Sequence, residues 1–323
     1  MAPRVFIDGE AGTTGLQIRA RLADRRDIDV VSIADEHRKD RDRRAELLNS
    51  VDVAILCLPD DAAREAVSLI DNAKTRVIDT STAHRIAPGW VYGFPELEPG
   101  QAERIAEARF VANVGCYAVG TISLLRPLMD AGLIPDDYRL QINAISGYTG
   151  GGRALIARFE DADAPNPVAG PYYVYGLGLE HKHVPEIETI CRLTHRPIFV
   201  PSVGQFRQGM LIQIPLHLPL MTGNPSVDDI RKVLAERYAG QNFVEVADAD
   251  KAAAVGEVYA DEMNGTNILR LYVFGAEQRS HALLVSTLDN LGKGASGSAV
   301  QNLNLMLGLA ADTGLDQALL AAE

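Results

Sequence analysis

The chain has 323 residues, with 31 Lys+Arg against 43 Asp+Glu and a net charge of −12. That length is too great for one small core and predicts about two domains. At 47% hydrophobic and 23% charged residues, the composition excludes disorder as the dominant state, and the acidic balance disfavours broad binding to nucleic acid or anionic membranes. No run of ~18 apolar residues predicts a transmembrane helix. Met1-Ala2-Pro3-Arg4 leads straight into Val5-Phe6-Ile7 without a signal-peptide pattern, so the expected location is the cytoplasm. Three separated cysteines, Cys57, Cys116 and Cys191, form no disulfide framework.

Residues 4–8 read as a short buried strand, followed at once by Gly9, Gly12 and Gly15 and then by a helical segment with Leu16, Ile18, Ala20 and Leu22. A second strand spans Asp29 to Ala34 and ends in the charged run Asp35 to Asp40. Further strands are Val53 to Leu58, Arg76 to Asp79 and Val111 to Asn113, with a helix opening at Pro59-Asp60. Apolar strands alternating with helices predict a parallel sheet covered on both faces. After about residue 116 the pattern changes. A long apolar helix precedes alternating strands at Arg139 to Ser146, Gly209 to Leu218 and Asn267 to Phe274, which suit a mainly antiparallel sheet. Helices are expected at Pro185 to Leu193, at Ser226 to Tyr238 with Ser226 as N-cap, and from Gly297 onward. The expected fold class is α/β: an N-terminal Rossmann-type doubly wound parallel sheet plus an α+β domain with a mainly antiparallel sheet.

Three constellations carry chemistry. Gly9, Gly12 and Gly15 follow the first strand and open a helix, the context in which glycines let a backbone approach a pyrophosphate; Thr13 and Thr14 add hydroxyls. A simple tight turn is the bland alternative. Asp35 fits a ribose 2′-OH and Arg38 with Lys39 fit a 2′-phosphate, so these residues leave NAD and NADP open. Cys116 opens the long helix after Asn113-Val114-Gly115, where the helix dipole and backbone N–H groups favour a thiolate and an oxyanion. Cys57 and Cys191 read as core. His181 or His183 is a candidate acid/base for Cys116, with Glu186 to orient it. A metal site using His181, His183, Cys191 and His195 is the weaker reading, because no CxxC pair accompanies them; none is expected.

Along the whole chain stand the landmarks Gly9 to Gly15, Asp79-Thr80-Ser81-Thr82-Ala83-His84-Arg85, Tyr92 to Leu97, Gly115-Cys116-Tyr117, Ser146 to Gly152, His181-Lys182-His183-Val184-Pro185-Glu186, Gly204 to Met210 and Asp289 to Gly297. In their order and number the chain resembles N-acetyl-gamma-glutamyl-phosphate reductase in its shorter form, within the aspartate-semialdehyde dehydrogenase-like superfamily. Val114 departs from the family's usual Pro, and Thr149 replaces a common Ser. The resemblance implies NADP as cofactor and an acyl phosphate as substrate. It implies Cys116 as nucleophile and His181 as acid/base ahead of His183. It places Ser81, Ser146, Gly147, Asn290 and Lys293 at the cofactor, and Arg85, Asn113 and Arg207 at the substrate. It also implies a dinucleotide-binding domain of residues 1–115 completed by a C-terminal helix at 295–323, a catalytic and oligomerisation domain at 116–294, and a homodimer or homotetramer. Aspartate-semialdehyde dehydrogenase is the nearest rival, but there Asn usually precedes the cysteine and small hydroxyl residues follow it, whereas here Gly115 and Tyr117 flank Cys116. A carrier-linked amino-adipyl phosphate reductase would need a basic groove that the second half lacks. A non-catalytic dinucleotide sensor gives no reason for Cys116 and His181.

Overall fold

The computed structural model describes residues 2–315. The chain divides into two compact units, one of residues 1–95, 99–115 and 295–323, the other of 96–98 and 116–294. Residues 316–323 of the expected C-terminal segment lie outside the described residues.

The first unit holds six parallel strands: β1 (Arg4–Asp8), β2 (Asp29–Val31), β3 (Val53–Leu56), β4 (Arg76–Asp79), β5 (Val91–Gly93) and β6 (Phe110–Asn113). Their order is β2-β1-β3-β4-β6-β5, and every pairing is parallel. Central β3 is Val-Ala-Ile-Leu and buried throughout, as a strand covered on both faces must be. Strand β2 stops at Val31 rather than Ala34, so the charged run stands clear of it. Asp35–His37 forms a 3₁₀ turn. Asp40, read only as part of that run, caps the helix Arg41–Leu48 by accepting from the amides of Asp42 and Arg43. Strand β5, too short to carry a pattern, sits at the sheet edge. The helix Gly297–Met306 returns to this unit. There Asn302 Nδ2 donates to the Gly93 carbonyl and to Asn113 Oδ1, both at 3.0 Å.

The second unit is built on a mixed sheet: β7 (Gln141–Gly147), β8 (Tyr172–Val174), β9 (Ile198–Gly204), β10 (Met210–His217), β11 (Val244–Val246), β12 (Leu269–Ala276) and β13 (His281–Leu288). The order is β11-β12-β13-β10-β7-β9-β8, antiparallel except at β11–β12 and β7–β9. The helix Cys116–Asp130 lies directly on this sheet. A methyl at Gly120 would be 2.5 Å from Ile212 Cδ1 and 2.9 Å from Ser286 Oγ. Ser286 Oγ instead donates to the Gly120 carbonyl at 3.0 Å, which seats the helix against β10 and β13. The helix Val227–Arg237 starts with the capping box Ser226–Asp229.

Candidate active site

In the first unit, β1 runs into Gly9 at φ +86°, a left-handed position open to glycine at no steric cost. A methyl there would collide with the Cys57 carbonyl, and one at Gly15 would lie 2.6 Å from the Gly9 carbonyl. Gly12 donates to the Gly9 carbonyl at 2.9 Å and stands as N-cap of the helix Thr13–Leu22, which has no side-chain cap and no acid in its first turn. The result is a backbone cradle under a positive helix end, suited to a dinucleotide pyrophosphate. Asp8, just before it, is buried and bonded to Arg44, Nη2 to Oδ2 at 2.9 Å. Burial pushes its carboxyl above the ordinary range despite that partner. Ser32, not Asp35, follows β2 directly and is bonded with Glu10 to the guanidinium of Arg19. Arg38 and Lys39 are exposed, and Arg38 faces Asp35 at 3.6 Å.

The loop after β4 is organised by Asp79, which is fully buried. It accepts from the Ser81 amide and hydroxyl at 2.9 and 2.7 Å and meets His84 Nδ1 at 2.6 Å, while His84 stacks on Trp90. Arg85, largely buried, donates to the Thr80 carbonyl at 3.3 Å. Asn113 is placed differently from the expectation of substrate contact. It is fully buried, with Nδ2 on the Ala295 carbonyl at 2.9 Å and Oδ1 accepting from Asn302, so it holds the returning chain.

In the second unit, Cys116 is the first residue of its helix and is half-buried. Gly294 packs on it so closely that a methyl there would be 2.7 Å from Cys116 Cβ. His181 lies in a cage of rings, with centroids 5.5 Å from Tyr117, 5.8 Å from Tyr175, 5.1 Å from Phe199 and 4.9 Å from His183. The His183 amide donates to His181 Nδ1 at 3.1 Å. Neutral His181 therefore carries its proton on Nε2, which points to the Tyr175 hydroxyl at 3.3 Å. Tyr175 lies beside Tyr117, whose hydroxyl donates to the Ser202 carbonyl at 3.0 Å. Burial pushes the Tyr175 phenol up to about 12, with the neighbouring Cys116 adding to the rise. The structure thus brings Cys116, His181 and His183 into one unit, with Glu186 buried at the start of the helix Val184–Cys191. Tyr175 was not legible beforehand; its one signal is the aromatic run Tyr172-Tyr173-Val174-Tyr175 six residues before His181.

The other two thiols differ. Burial pushes Cys57 up to about 12 and Cys191 well above the ordinary thiol range. Among the described residues no cluster of three His, Cys, Asp or Glu is arranged to hold a metal ion. Ser146 is buried and donates to the Gly147 carbonyl, and Gly147 is fixed by its amide bond to the Gly209 carbonyl at 2.9 Å. The Asn290 amide is used inside the unit, accepting from the Gly209 N–H at 2.7 Å and donating to Thr149 Oγ1 at 3.3 Å. Arg207 is exposed and paired with Glu160 at 2.6 Å. Lys293 departs most from its expected place at the cofactor. It is fully buried, and its ammonium takes both oxygens of Glu96 at 2.8 and 2.9 Å, because a buried cation is tolerated only when paired.

Residues 4–106 match the family model for the NAD-binding domain of semialdehyde dehydrogenases, and residues 116–290 match the model for their dimerisation domain. The fold agrees. The aspartate semialdehyde dehydrogenase II of Vibrio cholerae superposes with a TM-score of 0.73 at 16% identity, over 95% of this chain and 99% of that one. The Francisella tularensis aspartate semialdehyde dehydrogenase gives 0.72 at 12% identity, over 95% and 100%. The chain is thus an oxidoreductase of the semialdehyde dehydrogenase class. Relatives from Brucella ovis and Brucella melitensis, both named N-acetyl-gamma-glutamyl-phosphate reductase, are 57% identical over 309 residues, 95% of this chain and all of theirs. The chain belongs to the N-acetyl-gamma-glutamyl-phosphate reductase family.

Proposed function

We propose that this chain reduces N-acetyl-L-glutamyl 5-phosphate to N-acetyl-L-glutamate 5-semialdehyde with NADPH, releasing phosphate, as a step of arginine biosynthesis. The observation that carries the chemistry is Cys116 at a helix N-terminus in one unit with His181, whose tautomer is fixed by a backbone amide. The family carries the substrate.

The Cys116 thiolate attacks the acyl carbon; the C–S bond forms, the C–O bond to phosphate breaks, and phosphate leaves with the electron pair. The N–H groups of the first helical turn stabilise the oxyanion of the tetrahedral intermediate. NADPH, when bound, supplies the hydride that reduces the thioester carbon. The thiohemiacetal oxyanion then re-forms the carbonyl and expels Cys116 as thiolate, leaving the semialdehyde. Neutral His181 offers its Nε2–H as the donor that steadies charge on the leaving thiolate, and Tyr175 and the His183 amide hold the ring in place. The turn from Gly9 to Gly15, whose glycines leave no room for a side chain against the neighbouring backbone, leads into a helix N-terminus that suits the pyrophosphate of the cofactor. Ser81, Ser146 and Gly147 remain candidates for cofactor contact, and Arg85 and Arg207 for substrate anions.

Assembly as a homodimer or homotetramer is part of the same reading. It is supported by the match to a dimerisation domain and by Ile198, Leu220 and Leu283, which stay exposed on the second unit. A cytoplasmic location fits three free cysteines.

The test is the reverse assay: the purified chain with N-acetyl-glutamate semialdehyde or aspartate semialdehyde, NADP or NAD, and phosphate. Phosphate-dependent reduction of NADP with the acetylated substrate is expected. Cys116→Ser should lose at least ~10³-fold in kcat and still bind NADPH; full turnover by that variant sinks the mechanism.

A further inference from the structure

We propose that Glu96 and Lys293 are a positioning pair for the nucleophile: their buried ion pair fixes the turn Gly292–Ser296, and that turn holds Gly294 against Cys116. The inference rests on Cys116 being the nucleophile.

The turn leaves β13 from a rigid base. Asp289 is fully buried and accepts from Gln208 Nε2 at 2.6 Å, from the Leu291 amide at 2.9 Å and from the Gly265 amide at 3.0 Å. The chain then makes a single π-type helical turn, a rare geometry that concentrates at functional sites. Neither glycine of Gly292-Lys293-Gly294 has room for a side chain. A methyl on Gly292 would run into the Thr266 carbonyl, and one on Gly294 would lie 2.7 Å from Cys116 Cβ and 3.2 Å from its Cα. Two glycines confer no stiffness, since glycine has the most conformational freedom to lose. Between them only Lys293 projects a side chain. It ends, fully buried, on both oxygens of Glu96, with the Phe243 ring 5.5 Å from the ammonium.

A buried ion pair is a poor means of adding stability, because desolvation offsets the attraction and apolar residues of similar volume do as well or better. What it provides is direction, with two charge-assisted bonds that set where the lysine backbone sits. Its far end is anchored too. The Leu97 carbonyl accepts from Arg237 at 2.6 Å, and Glu98 pairs with Arg126. A tether held at both ends explains how a glycine-flanked turn stays packed on a reactive thiol. Displacements of about 1 Å at a reacting group cost on the order of 10²-fold in rate.

The experiment compares Lys293→Met, Glu96→Gln and the apolar double variant Glu96→Leu/Lys293→Met in the full chain. Measured are Tm, NADPH binding, kcat and KM, and the rate at which iodoacetamide labels each cysteine, read by peptide mass. Each single variant should lose at least ~30-fold in kcat, with KM within about threefold. Cys116 should label several-fold faster once Gly294 no longer walls it, while Cys57 and Cys191 stay unreactive. The double variant should regain the wild-type Tm but not kcat. If a single variant does not fold, the double variant alone decides. Wild-type kcat in any folded variant, or recovery of kcat together with Tm in the double variant, overturns the proposal. So does faster labelling of all three cysteines together, which reports general loosening. Cysteine labelling needs no turnover, so failure of the proposed reaction, seen as an active Cys116→Ser variant, is distinguishable from failure of this inference.

Discussion

The imidazole of His181 and the backbone of His183 do different work. His181 Nδ1 accepts from the His183 main-chain N–H, and that bond survives any substitution of the His183 side chain. His181→Asn should therefore slow turnover by ~10²-fold or more, whereas His183→Asn should cost well under that and act through packing of its buried ring. Steady-state kcat values for the two variants decide it, and the reverse order would move the acid/base role to His183. Cys116 was readable in the sequence because a glycine, a helix start and a preceding strand surround it. The pairing of Lys293 with Glu96 was not legible, because the partner lies 197 residues away and nothing local announces a buried pair. The bonds of Asn113 are hidden in the same way, since Asn302 and Ala295 reach it only after the chain returns. Tyr175 is another long-range product, made by the meeting of its loop with the Cys116 helix.

Elements with a strong local cause were legible. Ser226 caps its helix as its spacing with Asp229 demands, and β1, β4 and β10 fall within a residue or so of their apolar or alternating runs. Short edge strands β5, β8 and β11, of three residues each, were missed because three residues carry no period. Longer β9 and β13 were missed too. They are interior strands whose partners are set by the sheet rather than by a turn signal. The glycine turn combines local and tertiary cause, with φ +86° at Gly9 and the Cys57 carbonyl against its Cα. Gly9→Ala must therefore move the turn, not merely strain it. NADPH affinity should fall at least ~10-fold as the backbone donors leave their alignment with the anion. Fluorescence titration of NADPH, beside an unchanged circular dichroism spectrum, measures this, and unaltered affinity would remove the turn from the cofactor site.

At the scale of the whole molecule the −12 net charge and the buried phenols together govern behaviour in alkali. Tyr175 is raised to about 12 by burial, and Tyr117 and Tyr238 are also raised well above the ordinary phenol range, again chiefly by burial. A folded-state pKa above the unfolded value of about 10 means that the unfolded chain gives up the proton first. The stability these groups allow is intact below pH 10 and is lost as pH rises from 10 through 12. Growing negative charge on an already acidic chain adds self-repulsion in the same direction. Urea midpoints should hence begin to fall near pH 9, where the buried thiols of Cys57 and Cys191 ionise on unfolding, and fall more steeply above 10 as the phenols join them. Tyr238 separates this from general alkaline damage. Its hydroxyl donates to the Ser123 carbonyl at 2.8 Å, so Tyr238→Phe should cost about 1 kcal/mol at pH 8. The same variant should lose stability less steeply above pH 10, because one buried phenol no longer ionises on unfolding. Parallel curves for wild type and variant across pH 8–11.5 would show that the phenols are not the cause.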